Sequence, residues 1–451
     1  MAVWTLIQLS DIRSGFRIDS EFYKNEYIQK DRDLLKLKCS SLGHLAKVTD
    51  GEHGSVNFVG SGIKYLTAEN VKQGYIDFEK VRFVGLEVDK RNARASVNVG
   101  DILISIKGTL GEVGVAEMQL LPANMNRDVA IIKPFLFAPS GHYIAAFLRS
   151  SYGAYQLARE GSGGVQQMIT LERLRGIKIP LVSDFGVNLV TYEYKQAQIK
   201  RQESIDLYTQ SQKLIESEMG LDQLHFDKPV GYTAQFSDLE ISHRNDAQHY
   251  QPRFTQLLEH LEQFPTKRVR EICLYNRRGI QPIYSNKGTH PVINSQHLGE
   301  KHINYDGLQK TTEYFFNASP EAHIQKDDLL IYTTGAYVGR TNVYLDDTPA
   351  FASNHVNILR LSSQIDHAYM AMVLQSIIGQ FQTQKHARGS AQAELYPADI
   401  NKFVVPLLSH EKQAEIGNLV RESLVKKRES FQLLEQAKFR VEQLIEEAVK
   451  E

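Results

Sequence analysis

The sequence is written twice. SDIRSGFRIDSEFYKNEY at Ser10–Tyr27 lies without a gap over SDLEISHRNDAQHYQPRF at Ser237–Phe254, pairing Arg17 with Arg244, Asp19 with Asp246 and Tyr23 with Tyr250 at an offset of 227. At that offset DILISIKG (Asp101–Gly108) overlays DLLIYTTG (Asp328–Gly335), and NRDVAIIK (Asn126–Lys133) overlays SNHVNILR (Ser353–Arg360). At an offset of 226, YIAAFLRSSYGAYQ (Tyr143–Gln156) overlays YMAMVLQSIIGQFQ (Tyr369–Gln382), followed by Gly163 on Gly389, Gln166 on Gln392 and Pro180 on Pro406. A repeat of about half the 451 residues dictates a pseudo-twofold molecule built from two related halves.

Each half opens with short β segments such as DILISI and VAIIKP, separated by Gly, Asn and Asp turns. A stretch with helical spacing follows, then a Gly-rich loop and a last strand, IKIPL or FVVPL. The fold class is α+β. Each half then ends in a long run of different composition. In residues 410–451, which contain no proline and one glycine, Val420, Leu424, Lys427, Phe431, Leu434, Lys438, Val441 and Ile445 recur in alternating steps of 4 and 3. The matching positions are Tyr194, Gln198, Arg201, Ile205, Tyr208, Gln212, Ile215 and Met219. The expected seam is therefore Tyr194, Ile205, Tyr208 and Ile215 against Val420, Leu424, Phe431, Leu434, Val441 and Ile445. A helix of about 40 residues is about 60 Å long and must cover its apolar stripe. The other copy of itself is the nearest partner, and an antiparallel coiled coil keeps the pseudo-twofold. The expected boundaries are 1–182 for an N-terminal arm and first domain, 183–225 for the first helix, 226–408 for the second domain and 409–451 for the second helix.

Composition narrows the function. Hydrophobic residues at 42% and charged residues at 23% describe a folding chain, and Lys plus Arg (52) balance Asp plus Glu (53), so a polyanion must be met by a local basic face. Two cysteines, Cys39 and Cys273, make no disulfide framework and point to a reducing compartment. The N-terminus reads neither as a signal peptide nor as a membrane span, so a cytoplasmic protein is expected. Two diverged domains at a fixed separation suit an extended, twofold ligand such as duplex DNA.

The tandem plan, FRIDSEFY, GDILISIKGTLGEVG followed by NRDVAIIKP, GSGGVQQMI leading to LRGIKIPLV, and the trailing helix together resemble the specificity (S) subunit of a type I restriction-modification enzyme. That resemblance implies two target recognition domains, each reading one half of a bipartite DNA target. It further implies helices that separate the domains and dock two methyltransferase (M) subunits, with restriction or motor (R) subunits joining later. The chain itself would be non-catalytic, holding no cofactor; S-adenosylmethionine would be bound by the M subunit. The second copy departs from the pattern, with DDLLIYTTGAYVGRTNV and ARGSAQAEL in place of the first copy's motifs. The alternatives are a coiled-coil protein-interaction adaptor, or the recognition subunit of a related methyltransferase system without a motor nuclease.

Base edges are read by polar side chains on loops held by a rigid scaffold. Four loops per half qualify. In the first half they are Glu52–Asn57 with His53 and Asn57, Lys107–Glu112 with Lys107 and Thr109, Asn126 with Arg127, and Ser162–Gln167 with Gln166. In the second they are Asn276–Gln281 with Arg277 and Arg278, Thr333–Arg340 with Thr334 and Arg340, Asn354 with His355, and Arg388–Gln392 with both its end residues. TKRVREICLYNRR is the densest basic stretch and a candidate phosphate-binding edge. There is no Asn/Asp-Pro-Pro-aromatic methyltransferase loop and no Walker motif, and Gly108, Gly111 and Gly114 lack phosphate-loop spacing. Asp184, Glu193 and Lys195 only mimic a nuclease pattern, because residues two apart on a helix diverge. His297 and His302 read as surface histidines, and no metal site is expected.

Overall fold

A computed structural model describes residues 22–161, 167–226, 229–389 and 392–450. The chain forms two compact units, Met1–Arg201 with Arg428–Glu451, and Gln202–Lys427.

The first unit contains strands β1 (Ala46–Asp50), β2 (Ile63–Leu66), β3 (Ile102–Ser105), β4 (Val113–Val115), β5 (Ala123–Met125) and β6 (Val129–Pro134). Helices α1 (Gly141–Arg149) and α2 (Ser151–Glu160) follow, and then the long α3 (Asp184–Glu218). One antiparallel sheet has the order β1-β6-β3-β4. Successive side chains of a strand point to opposite faces, and here both faces are apolar. Ile102, Ile104, Ala130 and Ile132 join a core with α1 and α2, while Leu103, Val129 and Ile131 fill a second core on the other face. That is why DILISI and VAII read as unbroken apolar runs. The second face is covered by a smaller sheet in which β2 and β5 pair in parallel.

The second unit repeats this plan. Its strands are β7 (Cys273–Arg278), β8 (His290–Ile293), β9 (Leu329–Tyr332), β10 (Thr341–Val343), β11 (Ala350–Ala352) and β12 (Val356–Leu361), followed by α4 (His367–Gln375) and α5 (Ile377–His386). The sheet order β7-β12-β9-β10 matches the first unit strand for strand, and β8 pairs in parallel with β11 as β2 does with β5. Single hydrogen bonds recur as well. Ser140 caps α1 at the Tyr143 N–H as Asp366 caps α4 at the Tyr369 N–H. The Tyr143 hydroxyl donates to the Pro180 carbonyl at 2.9 Å, and that of Tyr369 to Pro406 at 3.0 Å. The half-buried pair Lys133–Asp101 (2.8 Å) is answered by Arg360–Asp328 (2.8 Å).

The last helix is α6 (His410–Lys450). Each unit holds part of α3 and part of α6, and within each the two segments run antiparallel. In the first unit Arg440 meets Glu193 at 3.1 Å and Lys200 meets Glu429 at 3.5 Å. In the second, Lys426 meets Glu203 at 3.2 Å and Lys412 meets Glu218 at 2.9 Å. The seam differs in part from the one expected. Tyr194, Tyr208, Ile215, Val420, Leu434, Val441 and Ile445 are buried, whereas Ile205 and Leu424 are half-buried and Phe431 is 52% exposed. Other inner positions belong to the small residues Ala197, Ser204, Ser211, Ser423, Ser430 and Ala437, all buried. Small side chains there let the helix backbones approach closely, which leaves no room inside for the Phe431 ring. Among the described residues no helix is long and apolar enough to cross a membrane.

Candidate nucleic-acid interface

In both units a glycine brings the candidate loops together. After β1 the chain passes so close to the end of β5 that a Cβ on Gly51 would lie 2.0 Å from the Met125 carbonyl oxygen. After β7, a Cβ on Gly279 would lie 2.1 Å from that of Ala352. Only glycine permits this approach.

In the first unit the contact continues as a bridge between Glu52 and Asn126, with the Arg127 N–H donating to the Glu52 carbonyl at 3.0 Å. Lys107 reaches Asp128 at 4.0 Å and its backbone bridges Met168. Three of the expected loops, and the residues directly after the fourth, therefore converge. His53, Asn57, Thr109 and Arg127 are exposed, and Lys107 is half-buried. Asn126 is spent on the turn itself: its amide donates to Asp128 at 2.9 Å and its oxygen accepts the Asp128 N–H at 3.2 Å. Gln166 lies outside the described residues. The face is rich in paired charge: His53 to Asp50 at 2.8 Å, Arg94 to Asp50 at 3.5 Å and Arg91 to Glu52 at 3.0 Å. The Gly54 N–H, helped by Arg91, holds the Glu52 carboxyl below the usual carboxylate range. Arg91 and Arg94 were not among the expected residues, because they come from a segment some forty residues away in sequence; the basic run DKRNAR is the signal that marks them.

In the second unit Ile280 bridges Ser353, the Thr333 N–H donates to the His355 carbonyl at 3.0 Å, and Thr334 and Arg388 both bridge Glu394. All four expected loops meet. Arg277, His355, Arg388 and Gln392 are exposed, Asn354 is half-buried, and Arg340 lies with its guanidinium 3.6 Å from the centre of the Tyr337 ring. Thr334, by contrast, is buried with an unpartnered hydroxyl and offers no surface. Arg278 braces the loop, donating to the Leu395 carbonyl at 2.8 Å beneath the Tyr396 ring. Arg388 is tethered to Asp399 at 3.1 Å. Glu394, Tyr337 and Tyr396 were not anticipated, since nothing in the pattern separates them from ordinary turn residues. The same scaffold thus presents carboxylates clamped by Arg and His in one unit, and Arg, Tyr and Asn in the other.

His297 is a correction. It is 2% exposed rather than on the surface, and its Nδ1 accepts the Asn294 N–H at 2.9 Å. Burial lowers its pKa. Among the described residues no three His, Cys, Asp or Glu side chains stand together as a metal site. Gly108 and Gly111 take positive φ values of 85° and 87° in the loop after β3, as a tight turn requires.

Residues 262–421 match the family model described as "Type I restriction modification DNA specificity domain". The chain is 25% identical over 122 residues to the type I restriction enzyme EcoBI specificity subunit of Escherichia coli; the match spans 27% of this chain and 26% of that relative's length. Among solved structures it resembles the S subunit of a type I restriction-modification system from M. genitalium (14% identity, 91% of this chain, 95% of that one, TM-score 0.47). It also resembles the HsdS subunit of Thermoanaerobacter tengcongensis (13%, 91%, 96%, TM-score 0.30). The matched region makes the second half a type I DNA specificity domain, and the first half repeats its strand order. Over residues 262–421 the chain is thus similar to the DNA specificity domain of type I restriction-modification enzymes.

Proposed function

We propose that each unit reads one half of a bipartite duplex DNA target, and that the helices α3 and α6 dock methyltransferase subunits to which restriction subunits are added. The observation that carries this reading is the duplicated loop convergence. Two copies of one scaffold gather loops at Gly51 and at Gly279 while presenting different polar side chains, which is what two unlike half-sites demand. The chain acts without chemistry of its own, and S-adenosylmethionine is held by the methyltransferase partner. The exposed cations Arg127 and Arg277 and the half-buried Lys107 supply charge for the backbone and bases. The test is binding of the purified chain, alone and with its methyltransferase, to duplex DNA across a salt series, followed by exchange of residues 28–182 for a relative's. The expected result is binding that weakens steeply with salt and a change in one half of the modified sequence only. Binding insensitive to salt, or a change in both halves, would remove this reading; the first outcome would instead favour a protein-binding adaptor.

A further inference from the structure

Beside the recognition loops, both units leave an aromatic and an aliphatic side chain in solvent at the same place on the smaller sheet. In the first unit they are Phe58 (40% exposed) and Val59 (44%), directly after the Glu52–Asn57 loop. They form a two-residue edge strand paired with Val84 and Phe83. In the second they are Ile283 (59%) and Tyr284 (40%), separated from the Asn276–Gln281 loop by Pro282; the next residue, Ser285, donates its N–H to the Lys310 carbonyl at 2.9 Å along the corresponding edge.

The rings are held in place. Phe58 lies 3.8 Å from the Arg82 guanidinium carbon and meets Tyr65 edge-on, ring centres 5.8 Å apart. The Tyr284 hydroxyl donates to Asn294 at 3.0 Å. The Arg82 guanidinium covers the ring in the first unit, and in the second the exposed Lys310 meets Ser285, next to Tyr284, through its main chain. The exposed part of these side chains gains little for the fold, and the two halves have diverged in their loops, yet both keep such a pair here.

We propose that these pairs are apolar wedges for duplex DNA. Each enters the groove beside the bases read by its own unit and opens a base step, with Arg82 or Lys310 on the adjacent phosphates. Apolar side chains flanked by cations unstack and kink DNA in this way, and an aromatic ring stacks on any base. The choice of DNA as occupant follows from the flanking cations and from continuity with the loop surface, and so rests on the function proposed above.

The test uses the full chain, with its methyltransferase partner, on a duplex spanning the mapped target. 2-Aminopurine replaces each adenine in turn except those that are methylated. The expected result is a fluorescence rise at one step in each half-site. Phe58→Ser abolishes the first-half signal and weakens binding about tenfold, while the second-half signal persists. Ile283→Ser with Tyr284→Ser does the converse. Phe58→Leu, which keeps an apolar side chain, retains the signal and guards against a misfolded serine variant. Tight, salt-dependent binding with no rise at any position, or a rise unchanged in both serine variants, overturns the wedge while leaving DNA recognition intact. Absence of salt-dependent binding by the wild-type chain overturns both.

Discussion

The Ser430 hydroxyl donates to the main-chain carbonyl of Ala197 at 2.7 Å, directly from one long helix to the backbone of the other. A side chain as short as serine reaches that carbonyl only where the helices nearly touch. In the second unit Ser423 does the same to the Ser204 carbonyl at 2.8 Å, and Ser204 stands 226 residues before Ser430.

Ser430→Leu is therefore expected to overpack the seam and cost about 1–3 kcal/mol. Phe431→Asp, one residue on and 52% exposed, should change stability by no more than about 0.5 kcal/mol. Urea unfolding of the two variants measures the difference, and equal costs would show that the seam lies elsewhere.

Arg149 is expected to anchor the first domain to α6. Its side chain is 1% exposed, donates to the Leu434 carbonyl at 3.2 Å and meets Glu435 at 3.1 Å. At the same repeat position Gln375 uses neutral hydrogen bonds, among them one to the Thr341 carbonyl at 2.6 Å. Arg149→Ala, which removes charge-assisted bonds while Lys438 still pairs with Glu435, should cost about 1.5–3 kcal/mol, and Gln375→Ala, which removes neutral bonds, about 0.5–1.5 kcal/mol. Denaturation curves that rank them the other way would contradict this.

Burial raises Glu117 to about 7, against the opposing pull of Arg201 and of a hydrogen bond from Gln198. Above pH 7 the folded chain holds a charge it disfavours. As pH falls toward 4.5 the folded state takes up the proton before the unfolded state does, so this cost disappears. Glu117→Gln should stabilise the fold at pH 8 by on the order of 3 kcal/mol, seen as a higher melting temperature, and leave it nearly unchanged at pH 5. A gain equal at both values would assign it to something other than this carboxyl.

On the proposed recognition face, Arg127→Ala should weaken discrimination at one position of the first half-site by about 1–3 kcal/mol. Arg388→Ala should act on the second half only, and more weakly at any single base, because Asp399 already holds one of its nitrogens. Methylation rates on targets with single-base changes distinguish the two; a uniform loss across all sequences would mark a phosphate contact instead.

The sequence by itself determined the duplication, the α+β class, the central strands and the long helices. Each of these depends on periodicity along the chain: DILISI and VAII are apolar on both faces, and the terminal helix repeats every three and four residues. The face of that helix needed the fold. Counting large apolar residues selects Phe431, but the seam goes to Ser430 and Ala437, because closeness of two backbones is a property of the pair and is written in neither helix alone. The candidate interface of each unit was legible in its loops and not in their use. Lys107 and Arg127 stand where turn chemistry puts them, whereas Arg277 lies on strand β7, Thr334 turns inward, and Asn126 and Arg278 are consumed in bracing. Arg91 and Arg94 in one unit, and Glu394 in the other, reach the loops of their own unit from segments that sequence order holds apart. Only the close passes at Gly51 and Gly279 bring them there, since which polar group is left for a ligand depends on which neighbours have already satisfied it.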